Sequence, residues 1–120
     1  MLVDSIYQEA LEMVDETKTA QVLAKKGWHA GVLGIVAGRL LETLNQPIVV
    51  LTVDGDLAKG SARSIDAINI FEVLNQNRNL FTAFGGHSGA AGMTLPSENL
   101  SELSNPVSYT HLTLPTNREV

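Results

Sequence analysis

Ile48-Val49-Val50-Leu51-Thr52-Val53, closed by Asp54-Gly55-Asp56 and followed by Lys59-Gly60-Ser61-Ala62-Arg63-Ser64-Ile65, is the stretch that decides the fold. The first run is β-branched and apolar without polar alternation, the pattern of a strand buried on both faces. Asp-Gly-Asp is turn chemistry. Residues 59–65 then read as a second strand lying beside the first.

Working outward, Gly31 to Leu44 predicts a helix that ends before Asn45-Gln46-Pro47. It is apolar nearly all round and is expected to be buried. Gly34 and Gly38, four apart, leave one face smooth for close packing on a sheet. Ala20 to Ala24 reads as a short strand ended by Lys25-Lys26-Gly27. Residues 4–18 read as an amphipathic helix, with Val3, Ile6, Tyr7, Ala10, Met13 and Val14 at helical spacing and Asp4 as its N-cap. Downstream, Ile70 to Asn77 predicts a short helix with Ile70, Phe71, Val73 and Leu74 inward. Gly85 to Gly89 reads as a loop and Ala90 to Leu95 as a strand, and Ser97 is expected to cap a last helix after Pro96. This alternation of strands and helices predicts an α/β fold, a small sheet flanked by helices.

The 120 residues suffice for one small domain, and a hydrophobic fraction of 44% supports a globular rather than a disordered chain. The net charge of −5 runs against a free-standing nucleic-acid binder, which shows a basic excess. The charges are unevenly placed, however. Asp4, Glu9, Glu12, Asp15 and Glu16 crowd the first segment, whereas Lys59, Arg63 and His87 sit in glycine-rich ones, so a basic pocket on an acidic body is compatible with the sum. Without cysteine there is no disulfide and no thiolate metal site. No apolar run reaches membrane-spanning length, and the first residues lack signal-peptide character. A cytoplasmic protein without a membrane partner is the expectation.

Residues 106–120 look foreign. Val107-Ser108-Tyr109-Thr110-His111-Leu112 and Thr113-Leu114-Pro115-Thr116 have neither helical nor strand periodicity and resemble a translated read-through of a sequencing adapter. Residues 1–105 are therefore read as the domain and 106–120 as a non-native, disordered tail. His111 is set aside with it.

Three segments combine glycine with polar or cationic side chains. In Lys59-Gly60-Ser61-Ala62-Arg63-Ser64, strand geometry puts Lys59, Ser61 and Arg63 on one face, where a guanidinium fork, a hydroxyl and an ammonium suit phosphate oxygens. A solvated strand edge is the plainer alternative. In Gly85-Gly86-His87, paired glycines can free backbone N–H groups as an anion nest and the imidazole can donate to a phosphate. A glycine turn with a structural histidine explains the same residues. In Trp28-His29-Ala30-Gly31-Val32, a helix N-terminus favours anions, so His29 is a phosphate candidate, while Trp28 reads as core. A metal site within the chain is not expected, since two histidines without spaced carboxylates do not make one.

Taken together, the Trp-His-x-Gly-Val element, the Lys-Gly-Ser-x-Arg-Ser strand and the Gly-Gly-His-x-x-Ala-Ala-Gly segment resemble, in order and spacing, the DHHA1 domain of the RecJ family of the DHH phosphoesterase superfamily. Related phosphodiesterases share the third segment but usually lack the first. The resemblance implies the substrate-binding part of a 5′–3′ single-stranded-DNA exonuclease of DNA repair and recombination. Phosphodiester hydrolysis in that family uses Mn2+ or Mg2+ held by a separate N-terminal DHH domain, so no cofactor is expected within this chain. Arg63, with Ser61 and Lys59, would hold a backbone phosphate. His87, with Gly85 and Gly86, would position the strand near the scissile phosphate, and His29 would belong to the same wall. The implied partners are single-stranded DNA and the DHH domain of the same polypeptide. The chain reads as a fragment cut at both ends and inactive by itself. Two alternatives stand beside this: the DHHA1 domain of an oligoribonuclease or cyclic-dinucleotide phosphodiesterase, and a non-catalytic tRNA-binding module.

Overall fold

A computed structural model describes residues 2–103. The chain runs α1 (Leu2–Met13), β1 (Gln21–Lys26), α2 (Leu33–Leu44), β2 (Ile48–Asp54), β3 (Leu57–Arg63), α3 (Ile70–Gln76), β4 (Ala83–His87) and β5 (Ala90–Pro96). Short 3-10 turns precede α2, follow α3 and follow β5. The five strands form one sheet in the order β1-β2-β3-β5-β4. β1 and β2 are parallel and joined through α2, and every other pair is antiparallel. This is the small helix-flanked α/β sheet that the sequence predicts.

β2 is the hub. Ile48 and Val50 face α1 and α2 in a core with Ile6, Ala10, Leu33, Val36, Ala37 and Leu40. Val49 and Leu51 face the other way and pack with Ile70, Leu74, Met93, Leu95 and Leu103. All four β2 side chains are fully buried, which is why the run carries no alternation. Gly55, at φ +60, makes the tight turn into β3.

Several boundaries differ from those expected. α1 stops at Met13 rather than residue 18, because Asp15 closes a side-chain turn on Thr17 (Thr17 N–H to Oδ1, 3.0 Å). The buried Gln21 side chain then pins that turn, accepting from the Asp15 N–H at 3.1 Å and donating to its carbonyl at 2.9 Å. Asp4 is no N-cap: it lies inside the first turn of α1 and pairs with Arg39 at 2.7 Å. β1 runs on to Lys26, where Gly27 at φ +91 ends it. α2 is buried on one side only, through Leu33, Val36, Ala37 and Leu40, and Ile35 is 56% exposed. Ser97 does not cap; Pro96 occupies that position and the Ser97 hydroxyl donates to the Gly55 carbonyl at 3.2 Å. Phe71 and Val73 are half-buried, and Phe71 stacks on Phe84, which also meets Phe81.

The largest difference lies at Gly85-Gly86-His87. The expected loop is strand β4, an edge strand paired with β5 along its whole length through a two-residue Ser88-Gly89 turn. The expected tail, residues 106–120, lies outside the described residues. Among the described residues no helix is long and apolar enough to cross a membrane.

Candidate functional site

Cross-strand register fixes the site. Residues directly opposite in an antiparallel ladder share a face. Arg63 pairs with Ala90, which pairs with His87; Ser61 pairs with Gly92, which pairs with Gly85; Lys59 pairs with Thr94, which pairs with Ala83. Three rows therefore lie side by side on one face of β3, β5 and β4. Ala58 and Ala62 of β3 point into the opposite core, so the Lys59, Ser61, Arg63 row is on the side of α2. Arg63 and His87 stand two strand spacings apart, about 10 Å at the backbone.

α2 covers this face only as far as β3. Beyond it Ala83, Gly85, His87 and Gly92 are exposed. The result is a shelf of small residues (Ala90, Gly92, Gly85) with Arg63 at one margin and His87 at the other. Lys59 is exposed, and Arg63 and Ser61 are half-buried. Among the described residues the two ion pairs are Lys25–Glu9 and Arg39–Asp4, so Lys59 and Arg63 have no carboxylate partner there. The sum of charges is negative, but this shelf has cations at its edge and none of the paired acids.

Arg63 is held in place. Its Nη1 donates to the carbonyl of Ala62 at 2.8 Å. The guanidinium rests against Gly34 of α2, where an added Cβ would lie 2.8 Å from Nη2 and 3.7 Å from the Ser61 hydroxyl. Gly34 thus accommodates side chains rather than sheet backbone, and at Gly38 an added Cβ would meet nothing within 4 Å. The expectation that both glycines smooth a sheet-packing face is corrected on both counts.

His87 is held by the hairpin turn. Its Nδ1 accepts from the Gly89 N–H at 3.3 Å, which leaves the proton of a neutral ring on Nε2 as an outward donor. The turn is gripped in its own right, since the Ser64 N–H donates to the Gly89 carbonyl at 3.0 Å and the Ile70 N–H to the Ser88 carbonyl at 3.0 Å. Ser64, buried and donating its hydroxyl to the Ile68 carbonyl at 2.9 Å, therefore connects the residue after Arg63 to the turn after His87. The sequence offered one signal for this, a second serine closing the Lys-Gly-Ser-x-Arg-Ser run, but not the partner.

The glycine pair divides its roles. Gly85 lies on the shelf, where an added Cβ would meet nothing within 4 Å. Gly86 turns to the other face at φ +147, where an added Cβ would lie 2.3 Å from the Ala90 carbonyl oxygen. In a paired strand successive residues face opposite ways, so the two do not form the concave anion nest expected of a loop.

His29 lies in the connection between β1 and α2 and so belongs to none of these strand rows. It is exposed, and its Nδ1 accepts from the Gly31 N–H at 3.0 Å, capping the 3-10 turn Ala30–Val32. That amide is consequently occupied. Among the described residues His29 makes no hydrogen bond to Arg63, Ser61 or His87. Trp28 is core, 6% exposed, with Nε1 donating to Glu9 at 3.1 Å.

Among the described residues no three His, Cys, Asp or Glu side chains converge in a way that could hold a metal ion. The donor set of the shelf, with Arg63, Lys59 and Ser61, suits an anion instead.

The chain is 46% identical over 107 residues to the single-stranded-DNA-specific exonuclease RecJ of Bacillus subtilis, covering 85% of this chain and 14% of that protein. The crystal structure of Thermus thermophilus RecJ in complex with Mg2+ superposes with a TM-score of 0.81 at 30% identity, over 89% of this chain and 17% of that one. The C-Ala domain of Aquifex aeolicus alanyl-tRNA synthetase shares the fold, with a TM-score of 0.60 at 14% identity over 74% of this chain and 90% of that domain. The chain thus spans about one seventh of the curated relative. The DHHA1 domain family matches residues 9–109, which take in all five strands, α2, α3 and the end of α1, and the chain belongs to that family.

Proposed function

We propose that this chain is the substrate-binding DHHA1 part of a RecJ-like, 5′–3′ single-stranded-DNA exonuclease, a cytoplasmic enzyme of DNA repair and recombination. The observation that carries the reading is the row Arg63–Ala90–His87, in which two anion-seeking side chains flank an open floor of small residues. Backbone phosphates of one DNA strand are spaced by several ångströms, and an extended strand can lie along such a shelf with one phosphate at each margin. Arg63 grips one phosphate through the guanidinium edge left free by Ala62, with Ser61 and Lys59 beside it. His87 donates from Nε2 to a second, near the bond to be cut, and exposed Gly85 lets the strand approach the sheet. Gly86 contributes by closing the hairpin that carries His87. His29 is assigned to the outer rim.

The hydrolytic step is assigned to a DHH domain of the same polypeptide carrying Mn2+ or Mg2+. The shelf itself supplies binding and register. Identity to RecJ of several bacteria (46% for Bacillus subtilis, 32% for Haemophilus influenzae) supports this over an oligoribonuclease or a tRNA-binding module.

The test is Arg63→Ala in the full polypeptide that carries this domain. Loss of a charged hydrogen bond weakens engagement by about 1–3 kcal/mol, read as a raised KM on single-stranded DNA with kcat nearly held. An unchanged KM would remove Arg63 from the binding surface and the reading with it.

A further inference from the structure

α2 contains two glycines one turn apart that would be interchangeable in a plain helix, yet their surroundings differ. At Gly38 an added Cβ meets nothing within 4 Å. At Gly34 it meets the Arg63 Nη2 at 2.8 Å and the Arg63 Cζ at 3.8 Å. No side chain occupies that spacing without displacement, and the atom that must move is the far end of a flexible arginine rather than backbone. The fold can therefore absorb a methyl group at residue 34, but the guanidinium cannot stay where it is.

We propose that Gly34 is a positioning residue for the phosphate-binding arginine: its missing side chain is the hollow that fixes the Arg63 guanidinium at the margin of the shelf. The inference rests on the assignment of Arg63 to substrate binding. Two fixings act together. The Ala62 carbonyl takes one guanidinium nitrogen at 2.8 Å, and the hollow at Gly34 receives the other. With both ends placed, the planar group is held in one orientation, which fixes where its remaining N–H donors point. Such preorganisation lowers the ordering cost of binding an anion. An alanine at 34 fills the hollow and swings the guanidinium off its seat while leaving Arg63 and Ser61 themselves unchanged in the sequence.

Gly38 is the internal control. Alanine replaces glycine favourably in a helix, so both Gly34→Ala and Gly38→Ala should hold or raise the thermal midpoint. They should diverge in function. In the full polypeptide carrying this domain, Gly34→Ala raises KM on a labelled single-stranded DNA about 5- to 30-fold, the scale of a lost charged contact, with kcat nearly held, and Gly38→Ala leaves KM alone. Added to Arg63→Ala, Gly34→Ala causes no further loss, because the residue it acts through is gone. Should Gly34→Ala fold poorly alone, the Gly34→Ala/Arg63→Ala pair, relieved of the collision, must recover the midpoint of Arg63→Ala.

Distinct failures have distinct meanings. If Arg63→Ala raises KM and Gly34→Ala does not, the positioning role is wrong and the shelf assignment survives. If Arg63→Ala is silent, the shelf assignment itself fails. A further loss from Gly34→Ala in the Arg63→Ala background, or an equal loss from Gly38→Ala, means the glycine acts on something other than the arginine and overturns the inference.

Discussion

The two ends of the sheet are built on opposite rules. At the β1–β2 end, helices cover one face and a packed aliphatic layer covers the other, β2 is fully buried from Ile48 to Leu51, and both ion pairs among the described residues lie there: Lys25 with Glu9, Arg39 with Asp4. At the β5–β4 end only one face is covered, by α3 and the Phe71, Phe81 and Phe84 cluster. The other face is glycine, alanine and cations without carboxylate partners among the described residues. β3 belongs to both, with Ala58 and Ala62 in the core and, on the α2 side, Lys59 exposed and Ser61 and Arg63 half-buried. One end buries its surface and the other leaves a face of it open to solvent.

This contrast breaks first if the β2 end is not the stability centre. Leu51 is fully buried and packed in the aliphatic layer against β3, β5 and α3. Leu51→Ala should cost about 2–5 kcal/mol, the range for a buried leucine in a site that relaxes incompletely. Chemical denaturation of the chain reads this directly, and a cost under about 1 kcal/mol would show a core that collapses freely around the gap.

The adjacent glycines sharpen the contrast within the β5–β4 end. Gly86→Ala puts a Cβ against the Ala90 carbonyl and the Ala91 Cα at a φ of +147, where the neighbours are backbone and cannot yield cheaply. About 1–3 kcal/mol of destabilisation follows. Gly85→Ala meets open space and should stay within about 0.5 kcal/mol of the parent in stability, while narrowing the shelf. Urea midpoints of the two variants separate the roles: similar losses would mean that the pair acts as one turn and not as two faces of a strand.

The same contrast governs what the sequence made legible. β2 is readable because six apolar or β-branched residues in a row have no other soluble use. The Lys59, Ser61, Arg63 row is readable because strand period two places alternate residues together. β4 is not readable: Ala83-Phe84-Gly85-Gly86-His87 lacks the β-branched residues that mark strands and carries the glycines that mark loops. Its strand character comes from pairing with β5, a tertiary fact. The place of Gly34 is hidden for a related reason. A glycine in a helix announces close approach but not the partner, and Arg63 lies 29 positions away in the chain. The early stop of α1 depends on Gln21 reaching back to Asp15, a contact that helical periodicity through Val14 does not reveal. Local pattern thus shows where surface must be buried, and register decides which polar groups meet.

The smallest expected effect concerns pH and lies wholly at the β1 end. Glu9 accepts from the Lys25 ammonium at 2.6 Å and from the Trp28 indole at 3.1 Å, and these hydrogen bonds hold its carboxyl below the ordinary glutamate range. A carboxylate lowered on folding stabilises the native state above its unfolded value, and that stabilisation is lost as pH falls through the ordinary range toward the lowered one. The group is solvent-facing, so screening keeps the effect small. Glu9→Gln should therefore be slightly less stable than the parent at pH 7, and the gap should close on acidification toward pH 3, as urea midpoints at the two pH values would record. A gap that holds constant would make Glu9 a matter of shape at the Trp28 contact, not of charge. A gap that closes locates a charge-dependent part of the stability between α1 and β1, on the far side of the sheet order from Lys59 and Arg63.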